Sequence, residues 1–163
     1  MIKIRKARLK DTDEILDLWK DFMSEHDNVV IKRNSMLKPY TIKKSDAKNN
    51  FRSFIKRNIR SRNGIVFVAE DGKEIIGYLL CTIKKNIPIF KLERIGYMND
   101  LYVKKKYRGT KISTGFKNKA MQWFREKGMK HASIMVSPEN KKAHGIYKNW
   151  GFHDYHIELR KKI

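Results

Sequence analysis

Apolar positions recur along the chain in two alternating periods, and the switches between them mark out its elements. Ile2 to Leu9 alternates apolar and basic residues, as a half-buried strand does. From Asp11 the period lengthens. Asp11 and Glu14 stand at capping-box spacing, and Ile15, Leu18, Trp19 and Phe22 follow at helical intervals. His26 is expected to close that helix, where a cation suits the dipole, and residues 27–42 read as irregular, with Pro39 and Tyr40 near their end. A second helix is predicted over 45–61, burying Phe51, Ile55 and Ile59. Ile65 to Glu70 then reads as a strand, Asp71-Gly72 as a hairpin turn, and Glu74 to Ile83 as the partner strand, with Gly77 marking a bulge. After a break at Ile87-Pro88-Ile89, Arg94 to Val103 forms another strand. Ile112, Phe116, Ala120 and Trp123 trace a helix that stops at Gly128. His131 to Val136 is a strand, a short helix follows, and Phe152 to Arg160 reads as a last strand.

The order β-α-α-β-β-β-α-β-α-β predicts an α/β domain with a mixed, mostly antiparallel sheet flanked by about four helices. The 163 residues suit one domain over 1–163, with no internal repeat and no low-complexity linker. No apolar run approaches membrane-spanning length, and the N-terminus lacks a secretory apolar region, so no membrane association is expected. Cys81 is the only cysteine, which excludes an internal disulfide and fits a cytoplasmic protein.

Charge changes the picture more. The formal net charge is +21 and the isoelectric point is near 10.1. Such a field draws in polyanions, among them nucleic acid and nucleotide cofactors with several phosphates. Lys48, Arg52, Lys56 and Arg60 recur every fourth residue and form a stripe beside the apolar face of the second helix. The stripe is either a solvated helix face or a phosphate-tracking surface. No helix-turn-helix, zinc-finger or RNA-binding aromatic motif accompanies it.

Two stretches carry chemistry. The first is Asn140-Lys-Lys-Ala143-His-Gly-Ile-Tyr147-Lys148-Asn-Trp-Gly151-Phe152. Asn140, Ala143 and Tyr147 share one face of a short helix. Ser137-Pro138-Glu139 supplies a start signal with Ser as N-cap, and Gly151 supplies the C′ residue. The second is Asn99-Asp100-Leu101-Tyr102-Val103, which runs through Tyr107-Arg108-Gly109-Thr110-Lys111-Ile112-Ser113 into a helix. A strand, a tight turn and a helix N-terminus bring free N–H groups and the positive dipole end together, which makes an anion site.

Together these stretches resemble the GNAT superfamily of N-acetyltransferases, whose fold has the same element order. The resemblance therefore covers nearly the whole chain. It implies that Arg108, Gly109, Thr110, Lys111, Ile112 and Ser113 form the turn that holds the pyrophosphate of acetyl-CoA. Arg108 matches the family pattern, whereas Lys111 stands where the family has Gly and Ser113 where it has Gly or Ala. Backbone N–H groups around Leu101, Tyr102 and Val103 are implied to bind the pantetheine arm, and Asn140, Ala143 and Lys148 to add contacts. Tyr147 is implied as the acid that protonates the leaving thiolate. Asp100 is a candidate base toward an amine acceptor, small molecule or protein. Strand alternation puts Asn99 and Asp100 on opposite faces. Dimers are common in the superfamily, so a homodimer is compatible with the resemblance. The rival reading is a non-catalytic basic module of the same fold that binds nucleic acid or senses CoA.

The remaining candidates point to packing. His26, His131, His144, His153 and His156 share no metal-ligand spacing with Cys or acid partners, so no metal is expected. Cys81 lies in a strand and reads as a small buried hydrophobe.

Overall fold

The computed structural model describes residues 1–163. It contains five strands: β1 (Ile2–Lys6), β2 (Gly64–Asp71), β3 (Glu74–Lys85), β4 (Arg94–Val103) and β5 (Ala132–Ile134). Four α-helices accompany them: α1 (Thr12–Arg33), α2 (Ala47–Arg60), α3 (Ile112–Glu126) and α4 (Lys141–Asn149). The strands lie in the order β1-β2-β3-β4-β5. The first four are antiparallel, and β5 runs parallel to β4.

The sheet separates two cores. On one face α3 packs Ile112, Phe116, Ala120, Trp123 and Phe124 against Phe67, Leu79, Cys81 and Met98. On the other, Ile15 and Leu18 of α1 and Ile55 of α2 cover Val66, Val68, Tyr78, Leu80 and Tyr102. Helices on both faces explain why β2 and β3 are apolar almost throughout rather than cleanly alternating. Each large side chain buried this way contributes roughly 1.5–3 kcal/mol over leaving it exposed. The central strands approach α3 closely. A Cβ on Gly77 would lie 2.7 Å from the Tyr102 carbonyl oxygen and 3.3 Å from the Phe116 ring, so this position admits only glycine without a shift of backbone. The bulge expected here is real: β3 gains one residue between Ile75 and Gly77.

Four expectations need correction. The first helix does not stop at His26 but runs to Arg33, because Val30 finds a buried site and carries the periodicity onward. Asn34 ends it, and its side chain accepts from the Met36 N–H to open a 3-10 turn over Ser35–Tyr40. Asp11 and Glu14 do not form a capping box. Arg5 claims the Asp11 carboxylate at 2.7 Å, and Glu14 accepts instead from the Ile75 N–H at 3.2 Å. The cap of α4 is Asn140, not Ser137. The Asn140 side chain accepts from the Ala143 N–H at 3.2 Å, while Ser137 accepts from the Glu139 N–H within the preceding turn.

The last correction concerns the tail. Phe152 to Arg160 does not form a strand, and Tyr155, Ile157 and Leu159 are 88%, 83% and 89% exposed. Alternation defines a face, but a strand also needs partners for its backbone. β5 is only three residues long and offers little edge. Side chains instead hold the tail: Asp154 bonds His144 and Lys148 of α4, and the Arg160 guanidinium lies over the Tyr40 ring.

Candidate active site

The sheet opens between β4 and β5. Their parallel ladder joins Gly96 to Ala132, Tyr97 to Ser133 and Met98 to Ile134, and then stops. The β5-facing edge of β4 from Asn99 to Val103 is left without a strand partner. Two local features force this parting. β4 bulges between Met98 and Asp100, since Leu80 pairs with Asp100 and Cys81 with Met98. The chain after β5 turns away at Ser137-Pro138, where Pro138 can donate no ladder hydrogen bond.

The bulge also re-aims side chains. Asn99 and Asp100 do not face opposite ways as alternation alone requires. Thr82 donates its hydroxyl to Asn99 at 2.8 Å, and Tyr78 donates to Asp100 at 3.2 Å. Tyr78 and Thr82 lie on one face of β3, so Asn99 and Asp100 share that face as well. One extra residue in a strand breaks the period of two in this way.

Asp100 is half-buried, and burial raises its carboxyl to about 6, while the Tyr78 hydrogen bond pulls the other way. Three phenols surround its charge. Tyr78 is fully buried and its hydroxyl is driven well above the usual range, first by burial and then by Asp100. Tyr97 is raised by the same two causes in the same order. Tyr147 is pushed up to about 12 by burial and then by the Asp100 charge. A titratable acid near neutrality thus lies within electrostatic reach of a tyrosine that stays protonated.

The end of α4 holds Tyr147 in place. Gly151 takes φ +87, the Phe152 N–H donates to the Tyr147 carbonyl at 3.1 Å, and the Gly151 N–H donates to that of Lys148 at 2.9 Å. This pair of bonds is a Schellman closure, which brings the residue after the glycine back onto the helix. The Phe152 and Trp150 rings pack 6.4 and 5.5 Å from that of Tyr147. Lys148 is turned the other way, toward Asp154 at 3.2 Å.

The turn before α3 has the chemistry of an anion cradle. Backbone N–H groups from Gly109 to Thr114 find no acceptor within the chain; the first bonded one is Gly115, to Lys111 at 2.9 Å. Gly109 has φ +85 and Lys111 φ +63, and Lys111 is the only non-glycine residue with positive φ. Lys111 therefore adopts the conformation for which the expected glycine is suited. Ile112 is buried in the α3 core, Ser113 is half-buried, and the Thr110 hydroxyl donates to the Tyr107 carbonyl at 2.6 Å. Arg108 does not reach into the turn. Its guanidinium donates to the Val103 carbonyl and to Glu25 of α1, both at 2.8 Å, and covers the Tyr102 ring. The Tyr102 hydroxyl also donates to Glu25 at 2.8 Å, which ties α1 to the turn. Leu101 packs half-buried against the α3 core. Six unpartnered donors at a helix N-terminus fit a pyrophosphate.

The pattern of the acetyltransferase (GNAT) family matches residues 14–152. The chain belongs to this family. A GNAT protein of this type is an acetyl-CoA-dependent acetyltransferase. Among relatives, an uncharacterized N-acetyltransferase of Archaeoglobus fulgidus is 27% identical over 135 residues, which cover 82% of this chain and 88% of that one. A predicted acetyltransferase with acetyl-CoA from Clostridium acetobutylicum superposes with TM-score 0.78 at 20% identity, over 99% of this chain and 96% of that chain. The aminoglycoside N-acetyltransferase AAC(6')-Iy in complex with a bisubstrate analog superposes with TM-score 0.74 at 16% identity, over 100% and 99%. These structures share the GNAT fold with this chain. No helix of the protein is long and apolar enough to cross a membrane.

Sequence reasoning overlooked Tyr78, Thr82 and Tyr97, which surround the Asn99–Asp100 pair, and Glu25, which holds Arg108. Their polar tips in apolar strands and helices were the available signal, but each reads as ordinary packing until the bulge brings its partner round.

Proposed function

We propose that the protein transfers the acetyl group of acetyl-CoA directly to a primary amine, with Asp100 as base and Tyr147 as acid. The observation that supports this reading is electrostatic coupling: after burial, the Asp100 charge is what raises the Tyr147 hydroxyl. An open edge of β4 beyond Met98 and the unpartnered N–H groups of residues 109–114 are consistent with it. Acetyl-CoA supplies the activated acyl carbon. Its pyrophosphate fits the 109–114 turn, and the free edge of Leu101 to Val103 suits the pantetheine amides and the acyl oxygen.

Asp100 takes a proton from the acceptor ammonium or amine, directly or through water, so that the nitrogen lone pair can form the C–N bond. Tyr147 gives its proton to the sulfur as the C–S bond breaks, and the products are an acetamide and free CoA thiol. A carboxyl near 6 is largely ionised at neutral pH, and a phenol near 12 is fully protonated, so both groups begin in the required state. Lys111 in the left-handed conformation supports retention of the anion turn, which weighs against a module that has lost its cofactor. Arg52 of the basic stripe is bonded to Asp13, which weakens that stripe as a continuous phosphate track.

Saturating acetyl-CoA should raise the melting temperature, and thiol release should follow when an amine panel is added. Tyr147→Phe should lower kcat by about 10²-fold or more while acetyl-CoA still stabilises the protein. Absence of any thermal shift with acetyl-CoA would sink the reading. Undiminished turnover in Tyr147→Phe would remove the phenol as acid.

A further inference from the structure

A carboxylate reaches the approach to the anion turn, where charge alone disfavours it. Glu25 of α1 bonds Arg108, the residue before the first free N–H of that turn. Negative charge beside a run of backbone donors opposes an incoming phosphate. Its bonds show what it does instead. Oε1 accepts from the Tyr102 hydroxyl and Oε2 from the Arg108 guanidinium, both at 2.8 Å. The same guanidinium donates through Nε to the Val103 carbonyl at 2.8 Å and lies 5.4 Å from the centre of the Tyr102 ring. Val103 ends β4, so Arg108 ties the turn back onto the last residue of the strand.

Packing sets this arrangement up. The Phe22 ring lies 6.0 Å from that of Tyr102, which seats α1 on β4, and Glu25 follows three residues later on the same helix face. Lys105 also comes within 4.0 Å of Glu25 but is 75% exposed, so Tyr102 and Arg108 are its main partners. Glu25 and Arg108 are themselves 27% and 37% exposed, and a pair so placed adds little to stability. Its consequence is geometric. Tyr107 is tied as well, since its hydroxyl donates to Asp71 of β2 at 3.2 Å. Both residues that precede Gly109 are therefore fixed to other elements, while the N–H groups beyond them stay free.

We propose that Glu25 is a positioning residue for acetyl-CoA. By holding Arg108 on the Val103 carbonyl, it sets the direction in which the N–H groups of Gly109 to Thr114 point, and with it the fit of the donor's pyrophosphate. The proposal rests on the reading of that turn as the pyrophosphate site. Two other roles for the pair predict the opposite sign. Were Glu25 to act only through its charge, removing it would tighten the binding of an anion. Were Arg108 a phosphate ligand merely stored on Glu25, freeing it would tighten binding too. Under positioning, removal weakens binding, because the buried Tyr102 hydroxyl and the Arg108 guanidinium lose their shared acceptor and the turn loosens.

The test compares two acyl donors on the full chain by calorimetric titration, with competition for the weaker one. Acetyl-CoA carries the pyrophosphate; S-acetylpantetheine has the same thioester and pantetheine amides without it. Glu25→Ala should weaken acetyl-CoA about tenfold or more relative to S-acetylpantetheine. Glu25→Gln, which keeps an acceptor oxygen, should recover most of that loss. Arg108→Lys keeps the charge but not the planar fork, and should weaken acetyl-CoA relative to S-acetylpantetheine about fivefold or more; it carries the test by itself should the alanine variant fail to fold. Glu25→Ala combined with Arg108→Ala should bind acetyl-CoA no more weakly than the weaker single variant, because the two side chains act as a unit. Tighter binding of acetyl-CoA by Glu25→Ala, undiminished binding by Arg108→Lys, or an equal loss for both donors overturns the assignment of Glu25 and leaves the pyrophosphate reading standing. Wild-type protein that binds the two donors equally well overturns the pyrophosphate reading, and the assignment of Glu25 falls with it.

Discussion

Asp100 holds its place through a single hydrogen bond from a buried tyrosine, and that bond opposes the effect of burial on its acidity. Burial disfavours the carboxylate, whereas the Tyr78 hydroxyl stabilises it. Tyr97 and Tyr147 are the other titratable groups that feel the Asp100 charge. A base with a carboxyl near 6 loses activity as pH falls through that value, so kcat/KM should show an acid limb there. Tyr78→Phe keeps the ring in the core and removes the donor. The limb should then move to higher pH, with turnover at pH 8 reduced less than at pH 6; an unmoved limb in a pH–rate series would show that the hydroxyl does not tune the base. Lys111 makes a second residue-scale case. A side chain at φ +63 costs roughly 1–2 kcal/mol, part of which glycine returns through its freedom in the unfolded chain. Lys111→Gly should stabilise the fold by about 0.5–1 kcal/mol in urea titration.

Among the elements, α4 is short, and its closure does more than end it. The Schellman bonds run from Gly151 and Phe152 back to Lys148 and Tyr147, so the tyrosine proposed as acid is also the anchor of the closure. Gly151→Ala places a Cβ at φ +87 and should cost about 1 kcal/mol or more of stability. Turnover should fall further than the stability loss explains, because the Tyr147 ring loses its Phe152 support. Wild-type kcat in a folded Gly151→Ala protein would refute this coupling. At the other end of the site, Glu25 gathers Tyr102 and Arg108 and thereby fixes α1 against the turn that precedes α3. The three bonded groups lie 83 positions apart in sequence at most, and only the packing of α1 across β4 unites them.

For the whole molecule, charge is the dominant feature. A net charge of +21 on 163 residues repels itself, because 17 acids can neutralise fewer than half of the 38 Lys and Arg residues. Screening should therefore help folding, and the melting temperature should rise between about 0.02 and 0.3 M salt as the Debye length falls below roughly 10 Å. A flat or falling melting temperature over that range would mean that repulsion contributes little. The same field raises the encounter rate of anionic partners before any contact forms.

Local patterning was legible where short-range physics sets it. The apolar runs of Ile65 to Glu70 and Glu74 to Ile83, the helical spacing of Ile112 to Trp123, and the glycine stop at Gly151 are all patterns a few residues long. So are the residue types of the two stretches around Arg108 and Tyr147, from which the family was readable. The reach of α1 beyond His26 was not legible, because Val30 needs a distant surface to bury against. Nor was the missing last strand, because alternation says nothing about whether a neighbouring edge exists. The decisive case is the Asn99–Asp100 pair. Sequence by itself determined that a carboxylate would lie on β4 near the site. Tertiary structure alone decided that both side chains share a face, that Tyr78 and Thr82 donate to them, and that β4 parts from β5 after Met98. A bulge and a parting of strands are settled by hydrogen bonds between segments far apart in the chain, and no local periodicity records them.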